Sequence, residues 1–121
     1  MWRGVLLQDK GDLATAEPLC REALEVSRET LGNRHPHTLT SISNLGVLLQ
    51  EKGDLAAAEP LLREALEGRR ATLGGGHPDT LASMNYLGLL LMALGVYAAA
   101  ELLLCKALEG QREHLGSRQP H

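Results

Sequence analysis

Residues 53–94 repeat residues 11–52. The segment "GDLATAEPLCREALEVSRETLGNRHPHTLTSISNLGVLLQEK" and the segment "GDLAAAEPLLREALEGRRATLGGGHPDTLASMNYLGLLLMAL" agree at 26 of 42 aligned positions. A third copy, "GVYAAAELLLCKALEGQREHLGSRQPH", begins at Gly95, and residues 1–10, "MWRGVLLQDK", match the end of a unit. Repetition at this period constrains the fold more than any other feature of the chain. Each unit is one supersecondary element that buries its apolar face only by stacking on its neighbours. Because the chain starts and stops in mid-repeat, it reads as a slice of a longer array.

Each unit divides into two helices. Leu, Ala, Glu and Arg form helices well, β-branched residues are scarce, and Trp2, Tyr86 and Tyr97 are the aromatic residues of a chain without Phe. In the second unit Leu55, Ala58, Leu62, Ala65, Leu66 and Leu73 recur at three- and four-residue intervals, the pattern of one buried helical face. The other helix is expected over Pro78 to Leu94, with Leu81, Met84, Leu87, Gly88 and Leu91 inward. Gly-Asp at 11–12 and 53–54 predicts a turn too tight for anything but antiparallel packing, with Asp54 as a cap. Glu17–Arg21 and Glu59–Arg63 are i,i+4 pairs on a solvated face. The expectation is an all-α solenoid of antiparallel helix pairs with about six helices, the first truncated. Its divisions fall at 1–10 plus 11–35, 36–77, 78–116, and 117–121 as the start of a further unit.

The residues inside the unit choose among repeat families of this length. Propeller blades fail because nothing alternates at period two. "NLGVLLQEKGDLAAAEPLLREALE", residues 44–67, carries the tetratricopeptide spacing, with Leu45, Gly46 and Leu49 in the first helix and Ala58, Leu62 and Ala65 in the second. The combination "AEPLxREALE…LGxxHPxTLxSxxxLGxLL" resembles the long tetratricopeptide repeats of kinesin light chains and nephrocystin-type proteins, over essentially the whole chain. The resemblance implies a right-handed superhelix whose first helices line a concave groove, which in relatives holds extended segments of partner proteins. Relatives often place two adjacent asparagines before the Leu of the first helix. Here those positions hold Ser43–Asn44 and Asn85–Tyr86, and Met1–Trp2 in the first unit, where Arg3 replaces the Leu.

Residues that could carry chemistry align with residues that could not. His35 and His37 flank Pro36 at i,i+2, not at the i,i+4 of a helical ligand pair. Asp79 stands in the place of His37 in the next copy, and Gln119 in the place of His35 in the third. Pro36, Pro78 and Pro120 recur, and proline suits the first turn of a helix. Gly32, Gly74 and Gly116 fall where the preceding helix is expected to stop. "LGGGHPDT" at 73–80 lacks the Gly-Lys-Ser/Thr ending and the preceding strand of a phosphate loop. Cys20 aligns with Leu62 as a small apolar filler, Cys105 aligns with Arg63 on the outside, and neither has a base beside it. Pro18 and Pro60 lie inside the second helix, where Leu102 replaces them in the third copy. No catalytic residue, metal site or cofactor is expected. A formal net charge of −3 does not point to nucleic acid or to an anionic membrane, and two cysteines without a framework fit a reducing, cytoplasmic setting.

The groove remains as the candidate site. Its expected exposed positions are Gln8, Thr40, Ser43, Asn44, Val47, Gln50 and Glu51, joined in the third unit by Asn85, Leu89 and Met92. Asparagine offers a donor and an acceptor to an extended backbone, and the resemblance implies this work for Asn44. The expected function is a non-catalytic interaction module that binds a protein or peptide, within a larger scaffold or adaptor. The alternative is a structural spacer or oligomerisation segment of a multidomain, NTPase- or motor-associated protein, self-associating through uncapped repeat ends.

Overall fold

The computed structural model describes residues 10–118, with side chains described for 15–113. It contains α1 (Lys10–Leu31), α2 (Pro36–Lys52), α3 (Leu55–Leu73), α4 (Pro78–Ala93) and α5 (Tyr97–Arg118), and no strand among the described residues. The expected truncated helix at residues 1–10, with Gln8, lies outside the described residues apart from Lys10, which opens α1. Each helix packs on its neighbours in sequence, and α2 also touches α4 lightly, so the chain stacks as a solenoid of helix pairs.

The joints are made by local chemistry. His35 and His77 take extended backbone conformations as N-caps of α2 and α4, ahead of Pro36 and Pro78 in the first turns. The His35 ring Nδ1 accepts from the His37 backbone N–H at 3.0 Å, and His77 Nδ1 accepts from Asp79 N–H at 3.1 Å. The histidine therefore satisfies one of the helix's orphan donors, as a serine or aspartate cap does elsewhere. At the other end of α2, Gly53 has φ 94°, with its N–H on Gln50 O and the Asp54 N–H on Leu49 O. This is the paired-bond stop that needs a glycine in the left-handed region. Asp54 then caps α3 by accepting from Ala57 N–H.

Two expected breaks are absent. The backbone is helical through Gly11 and Asp12, and α5 continues past Gly116 to Arg118. A glycine inside a helix costs only about 1 kcal/mol relative to alanine, and the long helix on one side of each glycine absorbs that. Glycine permits a stop without imposing one.

The core follows the repeat. Leu39, Ile42, Leu45 and Leu49 of α2, Leu62 and Ala65 of α3, and Leu87, Leu90 and Leu91 of α4 are all buried. The first helices α2 and α4 are covered from both sides, which leaves each a narrow free arc. Cys20 packs half-buried against this core, as expected of a filler, and Cys105 is exposed. Both thiols are free.

Ion pairs cross the first junction between units. Arg28 on α1 grips Glu64 on α3 through both guanidinium nitrogens, at 2.8 and 3.0 Å, and Lys52 pairs with Glu17. Hydrogen bonds from Arg28 hold the Glu64 carboxyl below its ordinary value of 4.5. A depressed carboxylate contributes stability that is present above its unfolded pKa and lost as pH falls through the folded one. Glu64→Gln is therefore expected to lower the unfolding free energy near neutrality by about 0.5–1 kcal/mol, since the pair is partly exposed. The same substitution is expected to flatten the loss of stability below the ordinary carboxylate range. Urea unfolding at stepped pH reads both.

Candidate peptide groove

The free arc of α2 holds Thr40, Asn44 and Glu51, exposed, with Val47 and Gln50 half-buried. These positions are spaced by three and four residues, so they share one face. The corresponding arc of α4 holds Ala82, Tyr86, Leu89, Met92 and Ala93, of which Tyr86, Leu89 and Met92 are exposed apolar residues. Since α2 and α4 are neighbours, the two arcs lie side by side: a polar strip on α2 and an apolar one on α4.

Ser43 does not belong to this surface. It was expected on the exposed floor, and it is buried at 3% exposure. Successive residues on a helix are about 100° apart. At mid-helix, where neighbours cover α2 from both sides, only one of the adjacent pair Ser43 and Asn44 faces out; the arc widens to hold Gln50 and Glu51 only in the last turn. Asn44 takes the arc and Ser43 turns into the packing. In the next unit Asn85 occupies the place of Ser43 and is half-buried, while Tyr86 takes the place of Asn44 at 39% exposure. Thr40, Asn44, Glu51, Leu89 and Met92 are exposed, whereas Val47 and Gln50 are half-buried. Tyr86 was missed, although the alignment of units already placed it opposite Asn44.

Arg69 was also missed. It lies on α3, 8% exposed, with its guanidinium inserted between the two first helices. Nη1 donates to Ser83 Oγ at 2.9 Å and to the Asp79 carbonyl at 3.2 Å, and Nη2 donates to Thr40 Oγ1 at 3.4 Å. One side chain thus fixes the spacing of α2 and α4 at the head of the groove. In the other units the position holds Ser27 and Gln111, so no periodic signal marked it.

No group of three or more His, Cys, Asp or Glu is placed to hold a metal ion among the described residues, and no described helix is long and apolar enough to cross a membrane.

Stacked antiparallel helix pairs, each helix packed on its neighbours in sequence, define a repeat protein of the superhelical class. The tetratricopeptide repeat model matches residues 1–71 and 42–113, and the chain belongs to that family. A solved structure of a candidate kinesin light chain from Podosopora anserina, with nearly identical TPR-like repeats, superposes at a TM-score of 0.84 with 29% identity over 94% of this chain. A glutamine-to-methionine variant of the same protein gives the same values. The chain spans about half the length of those structures, 54%. No curated protein matches. The solenoid is accordingly of the right-handed tetratricopeptide type, a repeat that generally mediates protein–protein interaction.

Proposed function

We propose that this chain is a non-catalytic, cytoplasmic interaction module that holds an extended segment of a partner protein along the paired arcs of α2 and α4. The observation that carries the reading is the mixed character of that surface. Asn44 offers hydrogen bonds to a backbone, while Tyr86, Leu89 and Met92 offer exposed apolar contact one helix away. Apolar residues beside convergent polar groups suit a peptide with alternating side chains. The units of the array are taken as 36–77 and 78–116, flanked by the partial ones.

Screening the chain against a peptide array identifies a binder, and the variants then test the site. Tyr86→Ala is expected to weaken that binder at least about tenfold, as loss of an aromatic anchor does. Asn44→Ala is expected to weaken it about fivefold, the loss of a hydrogen bond or two. Both should leave the thermal midpoint unchanged; equal losses of binding and stability would sink the reading.

The alternative is a spacer or assembly segment. A chain that binds no peptide, and whose mass by light scattering rises with concentration, would belong to that reading.

A further inference from the structure

The two inter-unit junctions differ in sign of charge. At the first, Arg28 on α1 is clamped by Glu64 on α3. At the second, the counterpart of Arg28 is Arg70, and the counterpart of Glu64 is Lys106. An attraction is replaced by two cations, and Arg70 makes no side-chain ion pair or hydrogen bond among the described residues. The second inter-unit ion pair is lost as well, since Leu94 stands in the place of Lys52.

At this second junction a cleft of about 230 Å3 lies between α3 and α5. Its floor is Leu87 and Leu91 of α4, Leu66 and Leu103 form its walls, and Arg70 stands at its rim. Leu102, also on the rim, takes the place of Pro60 and is largely exposed. The cleft opens on the second-helix side of the solenoid, away from the arcs that carry Asn44 and Tyr86. Glu67 and Arg63 share the rim, and Arg63 is already paired with Glu59. Both have counterparts in Glu25 and Arg21 at the first junction, so neither accounts for the difference between the two.

We propose that this cleft is a second docking surface, and that its occupant is an acidic, leucine-rich segment of a partner protein. At the first junction the chain supplies the carboxylate that meets the arginine. At the second, the partner supplies it at Arg70, with the exposed Lys106 adding to the attraction, and its apolar side chains rest on the exposed Leu102 and the half-buried Leu103 at the mouth of the cleft. Charge placed this way sets specificity and encounter rate as much as affinity.

The probe is a short fluorescein-labelled peptide alternating leucine and glutamate, read by anisotropy against the full chain, with a glutamine counterpart as control. The glutamate peptide should bind, and the glutamine peptide about fivefold or more weaker. Lys106→Glu recreates the clamp of the first junction, so it should raise the thermal midpoint and weaken the peptide about tenfold, through lost attraction and added repulsion. Arg70→Gln should weaken the peptide about fivefold with the midpoint unchanged. Asn44→Ala and Tyr86→Ala should leave this peptide unaffected, which separates the cleft from the groove. The proposal is overturned by no binding of the glutamate peptide, by binding indifferent to Lys106→Glu and Arg70→Gln, or by binding lost with Tyr86→Ala. A concentration-dependent dimer that Arg70→Gln dissolves would also overturn it, by making a second copy the occupant.

Discussion

Replacing Gly46 by Ala is expected to destabilise the chain by up to about 2 kcal/mol, even though alanine is the better helix former. Intrinsic propensity favours the substitution by about 1 kcal/mol. Packing opposes it, because a Cβ on Gly46 would lie 2.7 Å from Leu62 Cδ2 and 2.9 Å from Leu62 Cγ. Contact at Cγ cannot be relieved by turning the end of the side chain alone. Leu62 is fully buried, so moving it displaces other core residues, and overpacking of this kind typically costs 1–3 kcal/mol. The steric cost therefore outweighs the backbone gain. The reciprocal contact lies farther along the same helix pair, where a Cβ on Gly68 would come within 2.4 Å of Leu39 Cδ2. Each leucine enters the space left by a glycine on the facing helix, and this fixes how closely α2 and α3 approach.

Coupling gives the decisive measurement. Leu62→Ala alone removes a buried leucine and is expected to cost about 2–5 kcal/mol. In the Gly46→Ala, Leu62→Ala double variant the new methyl occupies part of the space vacated. The sum of the single losses should exceed the double loss by about 1 kcal/mol or more, a coupling expected of residues in contact. Urea unfolding of the four proteins closes the cycle. Additive losses would show that the Gly46–Leu62 contact does not set the spacing.

That contact is largely legible in the sequence. Gly46 and Leu62 recur as Gly88 and Leu104, and the period of the repeat placed small residues opposite large ones. The helix pairs, the prolines that open α2 and α4 and the Asp54 cap were readable for the same reason: they are local and follow from residues that the repeat sets in place. Ser43 was misplaced because periodicity gives the side of a helix, whereas the width of the free arc depends on how many neighbours cover it. Gly11 and Gly116 misled in the opposite direction, because a glycine is compatible with a stop and with a continuing helix alike. His35 and His77 were read correctly as parts of a joint, but their rings' action as caps needs a side-chain rotamer that no spacing reveals. Least legible was whatever distinguishes one unit from the next. Arg69 stands where the other copies have serine and glutamine, and Lys106 where another has glutamate. A repeat-based reading averages such positions away, although the groove and the cleft depend on them.

Arg69 is where that individuality has its largest expected effect. Its guanidinium is buried with hydroxyl and carbonyl acceptors and no carboxylate among its hydrogen-bond partners, so it meets the cost of desolvation with hydrogen bonds alone. Two substitutions separate what it contributes. Arg69→Ala removes the stem and the fork together, opens space between α2 and α4, and strands Ser83 Oγ, which is itself buried. An orphaned buried hydroxyl costs about 1–3 kcal/mol, and the lost packing adds to it, so a loss of about 2–4 kcal/mol is expected. Arg69→Met keeps most of the apolar volume and removes the buried charge, and replacing a buried ionic group by a well-packed apolar one is often neutral or better. Its expected loss is therefore below about 1.5 kcal/mol, with the Ser83 hydroxyl the remaining debit. The two variants should part again in binding. Without the bond to Thr40, neither holds the head of the groove in place, so both should weaken a groove peptide by a similar factor despite their different stabilities. Denaturant unfolding and peptide titration of the same two proteins read this separation. If the methionine variant bound as tightly as the wild type, Arg69 would support the fold and leave the spacing of the groove to the helices themselves.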